Sequence, residues 1–301
     1  MRFAITGGTG YVGSRLVAKA QSQGHDVVVI SRSPAPDGGG EARIVYDGTA
    51  QSLTTGFSRW LPDAVVHLAA DVRKGHSASD VAALTQANVV FPMHLAGASA
   101  EAGVKQLLNI STFSTYSRPN AYSPQTFYAA TKKATEDLLA FFHQAGLLKV
   151  ASLCFYDVYG EGQAHQRFLP ALMRSIASGE PMTMSLGEQE ICFLHVDDAV
   201  GSVLSALHGD VAWKDPDVNI FTVSGDDVLS LREVPAIVAD VLGAPLPEIR
   251  HVLPYRPREI MRFSPPYPRL PDWTPKISFR EGVTALRSSL EWAGASNGTC
   301  Q

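Results

Sequence analysis

Tyr128 and Lys132 stand four residues apart in "YAATK". On a helix that spacing places a phenol and an ammonium on one face. An ammonium beside a phenol favours the phenolate and lowers the tyrosine pKa toward the working range. Such a tyrosine can pass a proton to or from a carbinol oxygen. Ahead of the pair, a hydroxyl cluster of Ser111, Thr112 and Ser114 ends the apolar run "VKQLLNIS".

A second constellation opens the chain. "TGGTGYVG" sets Gly7, Gly10 and Gly13 between the strand-like "RFAIT" and a helical pattern from about Tyr11 to Gln23. Glycine allows a tight turn and close approach of backbone to a pyrophosphate, and a helix N-terminus adds free N–H groups and a positive dipole end. The reading is dinucleotide binding. Tyr128 then exchanges its proton while hydride moves to or from a nicotinamide, whose ribose Lys132 can hold. The second strand, "VVVIS", ends in Ser31 and Arg32 where an acid would accept from a ribose 2′-OH. A hydroxyl and a guanidinium suit a 2′-phosphate, so NADP is favoured over NAD. Asp47, after "ARIVY", either accepts from the adenine amino group or starts a turn, and the residues leave both open.

These groups need a scaffold. "HDVVVIS", "DAVVHLAA", "VKQLLNIS" and "LKVASLCF" are continuous apolar runs separated by helical patterns. They predict parallel strands buried on both faces, hence an α/β fold, a doubly wound Rossmann sheet. Residues 1–160 form the nucleotide-binding domain, with contributions from about 192–225. Residues 161–191 and 226–301 form a smaller C-terminal substrate-binding lobe. In that lobe "QRFLPALMRSIASG" is an amphipathic helix ending at Gly179. "SLREVPAIVADVLG" is another, opened by a capping box of Ser230 and Glu233 and stopped by Gly243. A last helix runs from about Phe279 to Trp292, "SPAPDGGGEA" (33–42) is a loop, and the tail "GASNGTCQ" is loose.

Together "TGGTGYVG", "HLAA", "NISTFSTY", "YAATK" and "HVDD" occur in the order found in extended short-chain dehydrogenases/reductases, and the chain resembles their sugar-nucleotide epimerase/dehydratase/reductase branch. The resemblance covers nearly the whole chain. It implies that Tyr128 is the general acid/base, Lys132 its partner, and Thr112, four residues before Tyr116, the hydroxyl that orients the substrate oxygen. Ser111 and Ser114 either share that role or satisfy backbone groups. It further implies that Tyr11 and Val12 in the glycine turn, Leu68, Ala69, Ala70, a mostly structural Asn88, Ser111, Tyr156 and Val158 line the cofactor. On the substrate side it implies Asp71, Phe113, Ser114, Asp157 and Arg256.

Departures from the family pattern narrow the chemistry. The dehydratase Asp-Glu pair is here Phe113 and Ser114, neither of which delivers a proton as a carboxylic acid does, and this argues against dehydration. The diphosphate-gripping segment "Q-x-R-D-F" carries Ile191 and Cys192 in place of Arg and Asp. Either Arg256, Arg258 or Arg262 compensates, or the substrate is not a nucleotide sugar. The expected function is NADP-dependent reduction of a keto group, foremost the 4-keto group of a nucleotide-linked deoxyhexose. The alternatives are an NAD-dependent sugar-nucleotide 4-epimerase and a reductase of a non-sugar carbonyl; a non-catalytic NADP-binding sensor is disfavoured by the complete Thr/Tyr/Lys set.

Charge and composition set outer bounds. A net charge of −4 makes no electrostatic case for nucleic acid or an anionic membrane. Cys154, Cys192 and Cys300 are widely spaced, which suits a reducing cytosol. No leader or membrane span is read, so a cytoplasmic enzyme is expected. "HVDD" is read as a packed His195 with Asp197 or Asp198 capping a helix, and no metal is expected. Trp273 is read as packed in the lobe. Family resemblance suggests a homodimer, for which Leu138, Leu139, Phe141 and Phe142 offer a stripe that would equally serve a core.

Overall fold

The apolar runs are strands of one parallel sheet in the computed structural model, which describes residues 1–34, 42–119, 121–163, 167–210, 213 and 219–296. The N-terminal half alternates as β1 (Arg2–Thr6), α1 (Tyr11–Ser22), β2 (Asp26–Ser31), β3 (Arg43–Val45), α2 (Ala50–Trp60), β4 (Ala64–His67), α3 (Ala78–Thr85), α4 (Phe91–Glu101), β5 (Gln106–Thr112), α5 (Phe127–Gln144) and β6 (Lys149–Phe155). Then come β7 (Asp157–Tyr159), α6 (Phe168–Ser178), β8 (Met182–Met184), β9 (Glu190–His195), α7 (Val196–His208), β10 (Ile220–Val223), β11 (Val228–Ser230), α8 (Val234–Leu242), β12 (Ile249–His251) and α9 (Phe279–Ser296).

The seven-stranded sheet has the order β10-β6-β5-β4-β1-β2-β3, with every neighbour parallel. Chain direction across the sheet reverses at β1 and β4, and a doubly wound sheet opens a crevice at the carboxyl ends of such strands. Successive side chains feed opposite faces. Phe3 and Ile5 join α1 and α7 in one core, while Ala4 joins α2, α4 and α5 in the other. That two-sided burial is why the strands read as unbroken apolar runs.

The lobe has its own core. β9 runs parallel to β7 and antiparallel to β11, and β8 pairs with β12. Tyr159, Leu172, Phe193, Val238, Phe279 and Val283 meet beneath them. α9 packs so closely here that a Cβ on Gly282 would lie 2.1 Å from the Tyr159 hydroxyl.

Between α3 and α4 the helix widens into a π turn, Gln86–Val90. A π turn releases a carbonyl from the regular ladder and is frequent at functional sites. Here the Thr135 hydroxyl on α5 donates to the Asn88 carbonyl. The Asn88 amide also donates to Thr131 Oγ1 (3.1 Å), so one bulge docks the helix that carries Tyr128 and Lys132.

Several sequence expectations change. α8 begins at Val234, not near Ser230. Ser230 and Glu233 do bond (Oγ to Oε2, 2.7 Å), but they close a turn ahead of the helix. Pro235 has no N–H and fits only the first helical turn, so the helix cannot start earlier. α6 and α8 end on Gly179 and Gly243 with φ 73° and 64°, as the glycine stops predict. α9 runs on to Ser296, past the expected end at Trp292. Neither Asp197 nor Asp198 caps α7. The His195 imidazole accepts from Asp197 N (3.3 Å), and Asp198 instead receives Lys276 N and Ile277 N at 3.0 and 2.9 Å. Trp273 packs against the sheet's core beside Gly201 of α7, not in the lobe. Residues 35–41 of the expected loop and 297–301 of the tail, with Cys300, lie outside the described residues.

Candidate active site

The glycine turn is a cradle closed to side chains. Gly7 has φ +69°, and a Cβ there would meet Ala69 N at 2.8 Å. A Cβ on Gly13 would lie 2.0 Å from the Gly7 carbonyl oxygen, so α1 can approach β1 only with glycine at that position. Gly10 caps α1 with no side-chain acceptor, and no acid stands in the first turn. The first N–H groups of α1 therefore face the crevice with the positive dipole end, which is what a dinucleotide pyrophosphate requires. Tyr11 and Val12 follow on the helix, and burial raises the Tyr11 phenol.

A buried hydroxyl holds the facing wall. Leu68 N and Ala69 N both donate to Thr6 Oγ1 at 3.1 Å, and Thr6 Oγ1 lies 2.9 Å from His67 Nδ1. The Thr6 hydroxyl proton is thus left for Nδ1, which fixes a neutral imidazole with its proton on Nε2, edge-on to Phe91. Burial pushes His67 well below its ordinary value, in keeping with a neutral ring. Asn88 accepts from Asp71 N and donates to Asp71 O, both at 2.9 Å, so its amide holds the loop beyond Ala70. Asp71 itself pairs with Arg73 at 2.8 Å. Arg32 is exposed just past the end of β2, whose last residue, Ser31, donates to Ser33 O (2.6 Å). Asp47 accepts from Thr49 N (2.9 Å) and Thr49 Oγ1 (2.6 Å), the turn-starting role.

Strand β5 and helix α5 bring the reactive groups together. Thr112 ends β5, and its hydroxyl lies 3.0 Å from Ser114 Oγ and favours the ionised form of Tyr128. Thr126 caps α5 by accepting from Ala129 N (3.2 Å), which sets Tyr128 in the first turn and Lys132 one turn on. The expected lowering of the tyrosine is not found. Burial pushes Tyr128 up to about 12, against Arg167 and the Thr112 hydrogen bond. Lys132, 2% exposed, is itself pulled down to about 8 by burial, against the charge of Glu136. Desolvation is the largest influence on each group, and the charge of Lys132 is not among the influences on Tyr128.

Ser111, expected on the cofactor side, donates to Glu136 on α5 instead. Glu136 and Tyr267, which donates to it, were not singled out from sequence. The signal for Glu136 was its spacing, one turn past Lys132; none marked Tyr267. Cys154 and Cys192 are buried, and burial raises both thiols, Cys192 to about 11.

Most of the residues expected on the substrate side line a narrow pocket of about 20 Å³ or lie beside it. Phe113 stacks on Tyr156 (centroids 4.9 Å, 17°), and Phe263 tilts against Tyr156 at 4.9 Å. Ile191, Cys192 and Ile260 complete an apolar wall, and Asp157 lines the same pocket. Val158, next to Asp157 on β7, packs against the sheet core. Burial pushes Asp157 up to about 6, opposed by Arg167, Lys74 and Arg256 from three separate segments. Of the arginines expected to compensate at position 191, Arg262 is paired with Glu190 (2.6 Å) and Arg258 donates to Pro124 O (3.0 Å). The Arg256 side chain has no ion pair among the described residues.

The sequence model of the NAD dependent epimerase/dehydratase family matches residues 3–220. A UDP-glucose 4-epimerase from Corynebacterium glutamicum is 27% identical over 327 residues, covering 98% of this chain and 95% of that protein. The solved UDP-glucose 4-epimerase of Thermotoga maritima with UDP-glucose superposes with a TM-score of 0.82 at 22% identity, over 97% of this chain and 99% of that one. MoeE5 in complex with UDP-glucose and NAD does so with 0.79 at 25% identity, over 99% and 100%.

Proposed function

The chain belongs to the NAD dependent epimerase/dehydratase family, and within it we propose that it moves hydride at a carbinol carbon of a nucleotide-linked hexose, with Tyr128 as acid/base, Thr112 orienting the oxygen and Lys132 supplying the charge. What supports this reading is Thr112 at the end of β5, Tyr128 in the first turn of α5 with Lys132 one turn on, and the uncapped N-terminus of α1 after the glycine turn in the same sheet unit. The bound cofactor would accept and return the hydride. Thr112 holds the substrate oxygen against the phenol. Tyr128 takes the carbinol proton as hydride leaves and gives it back on return. Lys132, charged below about pH 8, stabilises the phenolate form.

Oxidation followed by re-reduction on the opposite face of the sugar is 4-epimerisation, and the epimerase relatives support it at least as well as one-way ketoreduction. The ketoreductase reading with NADP is favoured by one observation, the exposed Arg32 with no acid after β2. Lys74, Arg167 and Arg256 around Asp157 supply positive charge for a diphosphate in place of the arginine absent at position 191. Leu138 and Phe141 are 44% and 61% exposed on α5, whereas Leu139 and Phe142 turn into the core; the outward pair is the proposed homodimer contact.

Purified protein with NAD and UDP-glucose is expected to form the C4 epimer without net cofactor change. In parallel, NADPH consumption with a 4-keto-6-deoxyhexose nucleotide reads the reductase. Turnover of simple apolar ketones with neither nucleotide sugar active would overturn the substrate class.

A further inference from the structure

Helix α5 carries a third ionisable group that the hydride step does not use. Glu136 lies one turn past Lys132, and the two are 1% and 2% exposed. A buried carboxylate persists only when charge and hydrogen bonds satisfy it. Each oxygen of Glu136 has its own donor: Ser111 Oγ to Oε1, and Tyr267 OH to Oε2 at 3.2 Å. Ser111 adjoins Thr112 at the end of β5. Tyr267 arrives from the C-terminal segment and lies edge-on to Tyr116 with centroids 5.8 Å apart. That segment is tied to β10, where Thr222 Oγ1 donates to Tyr267 O (2.9 Å) and Thr222 N to Pro268 O (2.7 Å).

We propose that Glu136, held by Ser111 and Tyr267, is a positioning residue that sets a buried carboxylate one helix turn from Lys132 and so serves Tyr128 through that lysine. This rests on the roles given above to Tyr128 and Lys132. The groups facing the pair are few. Lys132 and Lys133 share the helix with Glu136, His67 faces Lys132 from β4, Cys154 faces Glu136 from β6, and Tyr267 and Tyr116 close the far side. Burial keeps His67, Cys154 and Tyr267 neutral, and Lys133 is paired with Asp137. Glu136 is therefore the charge that opposes the desolvation of Lys132. Burial also raises Glu136, and the Ser111 hydrogen bond, the Lys133 charge, the Tyr267 hydrogen bond and Lys132 itself oppose that rise. Tyr267, from the C-terminal segment, thus acts on Lys132 through a carboxylate.

The test is an NMR titration of Lys132 in the full chain with NAD, using ¹³C-labelled lysine and Lys132→Arg for assignment. Glu136→Gln is expected to lower the Lys132 midpoint by about one pH unit or more, a tenfold change in its acid constant. Tyr267→Phe and Ser111→Ala are expected to move the acidic inflection, where Lys132 senses Glu136 protonate, to higher pH. A purely packing role would lower the melting temperature of Glu136→Gln and leave the Lys132 midpoint unmoved, which overturns the proposal. Should Glu136→Gln not fold, an unmoved acidic inflection in Tyr267→Phe overturns it equally. The titration needs no substrate, so an active Tyr128→Phe would refute the proposed reaction without deciding this inference.

Discussion

The two walls of the crevice are made differently. The cofactor wall is built from backbone: a glycine turn, free helix N–H groups, and amides held by the Thr6 hydroxyl. The proposed substrate wall is built from side chains contributed by the segment after β5, by Tyr156, β7 and β9, and by the segment around Ile260 to Phe263. Backbone geometry tolerates little change, because an added methyl finds an atom already there. A side-chain wall can be exchanged residue by residue, and here an arginine and an acid have become Ile191 and Cys192. On the proposed reading, the chain holds its cofactor with its main chain and chooses its substrate with its side chains.

Substitutions can break or sharpen that contrast. The largest effect belongs to neither wall: Tyr128→Phe is expected to cost about 10²–10⁴-fold in turnover, while NADH fluorescence reports nearly unchanged binding. On the backbone wall, Gly13→Ala forces a Cβ to 2.0 Å from the Gly7 oxygen. Overpacking of about 1–3 kcal/mol, read as lost NADH affinity, is about 5- to 150-fold. An alanine variant that binds NADH normally would break the contrast outright. Arg32→Asp is expected to shift preference from NADP toward NAD by about tenfold or more, the worth of one charge-assisted contact. An unchanged ratio of the two binding constants removes Arg32 from the cofactor wall.

The smallest effect sharpens the substrate wall. Asp157 is held up to about 6, above its ordinary value, so it is neutral below that pH and charged above it. Its contribution to stability is full below the unfolded-state value and is lost as pH rises through about 6. An anion that occupies Lys74, Arg167 and Arg256 removes their pull on Asp157, and binding then takes up a proton. UDP should bind wild type more weakly at pH 7.5 than at 5.5, by up to about tenfold. Asp157→Asn should flatten that dependence in calorimetry and resist urea better than wild type above pH 6. A steep pH dependence surviving in Asp157→Asn places the titrating group elsewhere.

The same contrast explains what the sequence disclosed. The sheet was legible because strands buried on both faces leave unbroken apolar runs, and the glycine turn because its spacing is set by the main chain. Tyr128 and Lys132 were legible as a pair, yet their pKa shifts were not, since burial depends on everything packed around them. Glu136 carried its spacing in plain view but no sign of its donors. Tyr267 lies in a Pro/Arg-rich stretch without period, and the Glu190–Arg262 pair joins residues 72 apart in sequence. The start of α8 was misplaced because a Ser/Glu bond that closes a turn has the same signature as one that opens a helix.

The tie between Tyr267 and Glu136 also has a consequence in time. Tyr267 is polymerised 131 residues after the glutamate it serves. At about 5–20 residues per second a ribosome needs roughly 7 to 26 s to cover that distance. For that interval the nascent sheet and α5 can assemble with Ser111 on Glu136 but without its phenol donor. The site is thereby expected to mature last, when the C-terminal segment leaves the exit tunnel and zips onto β10.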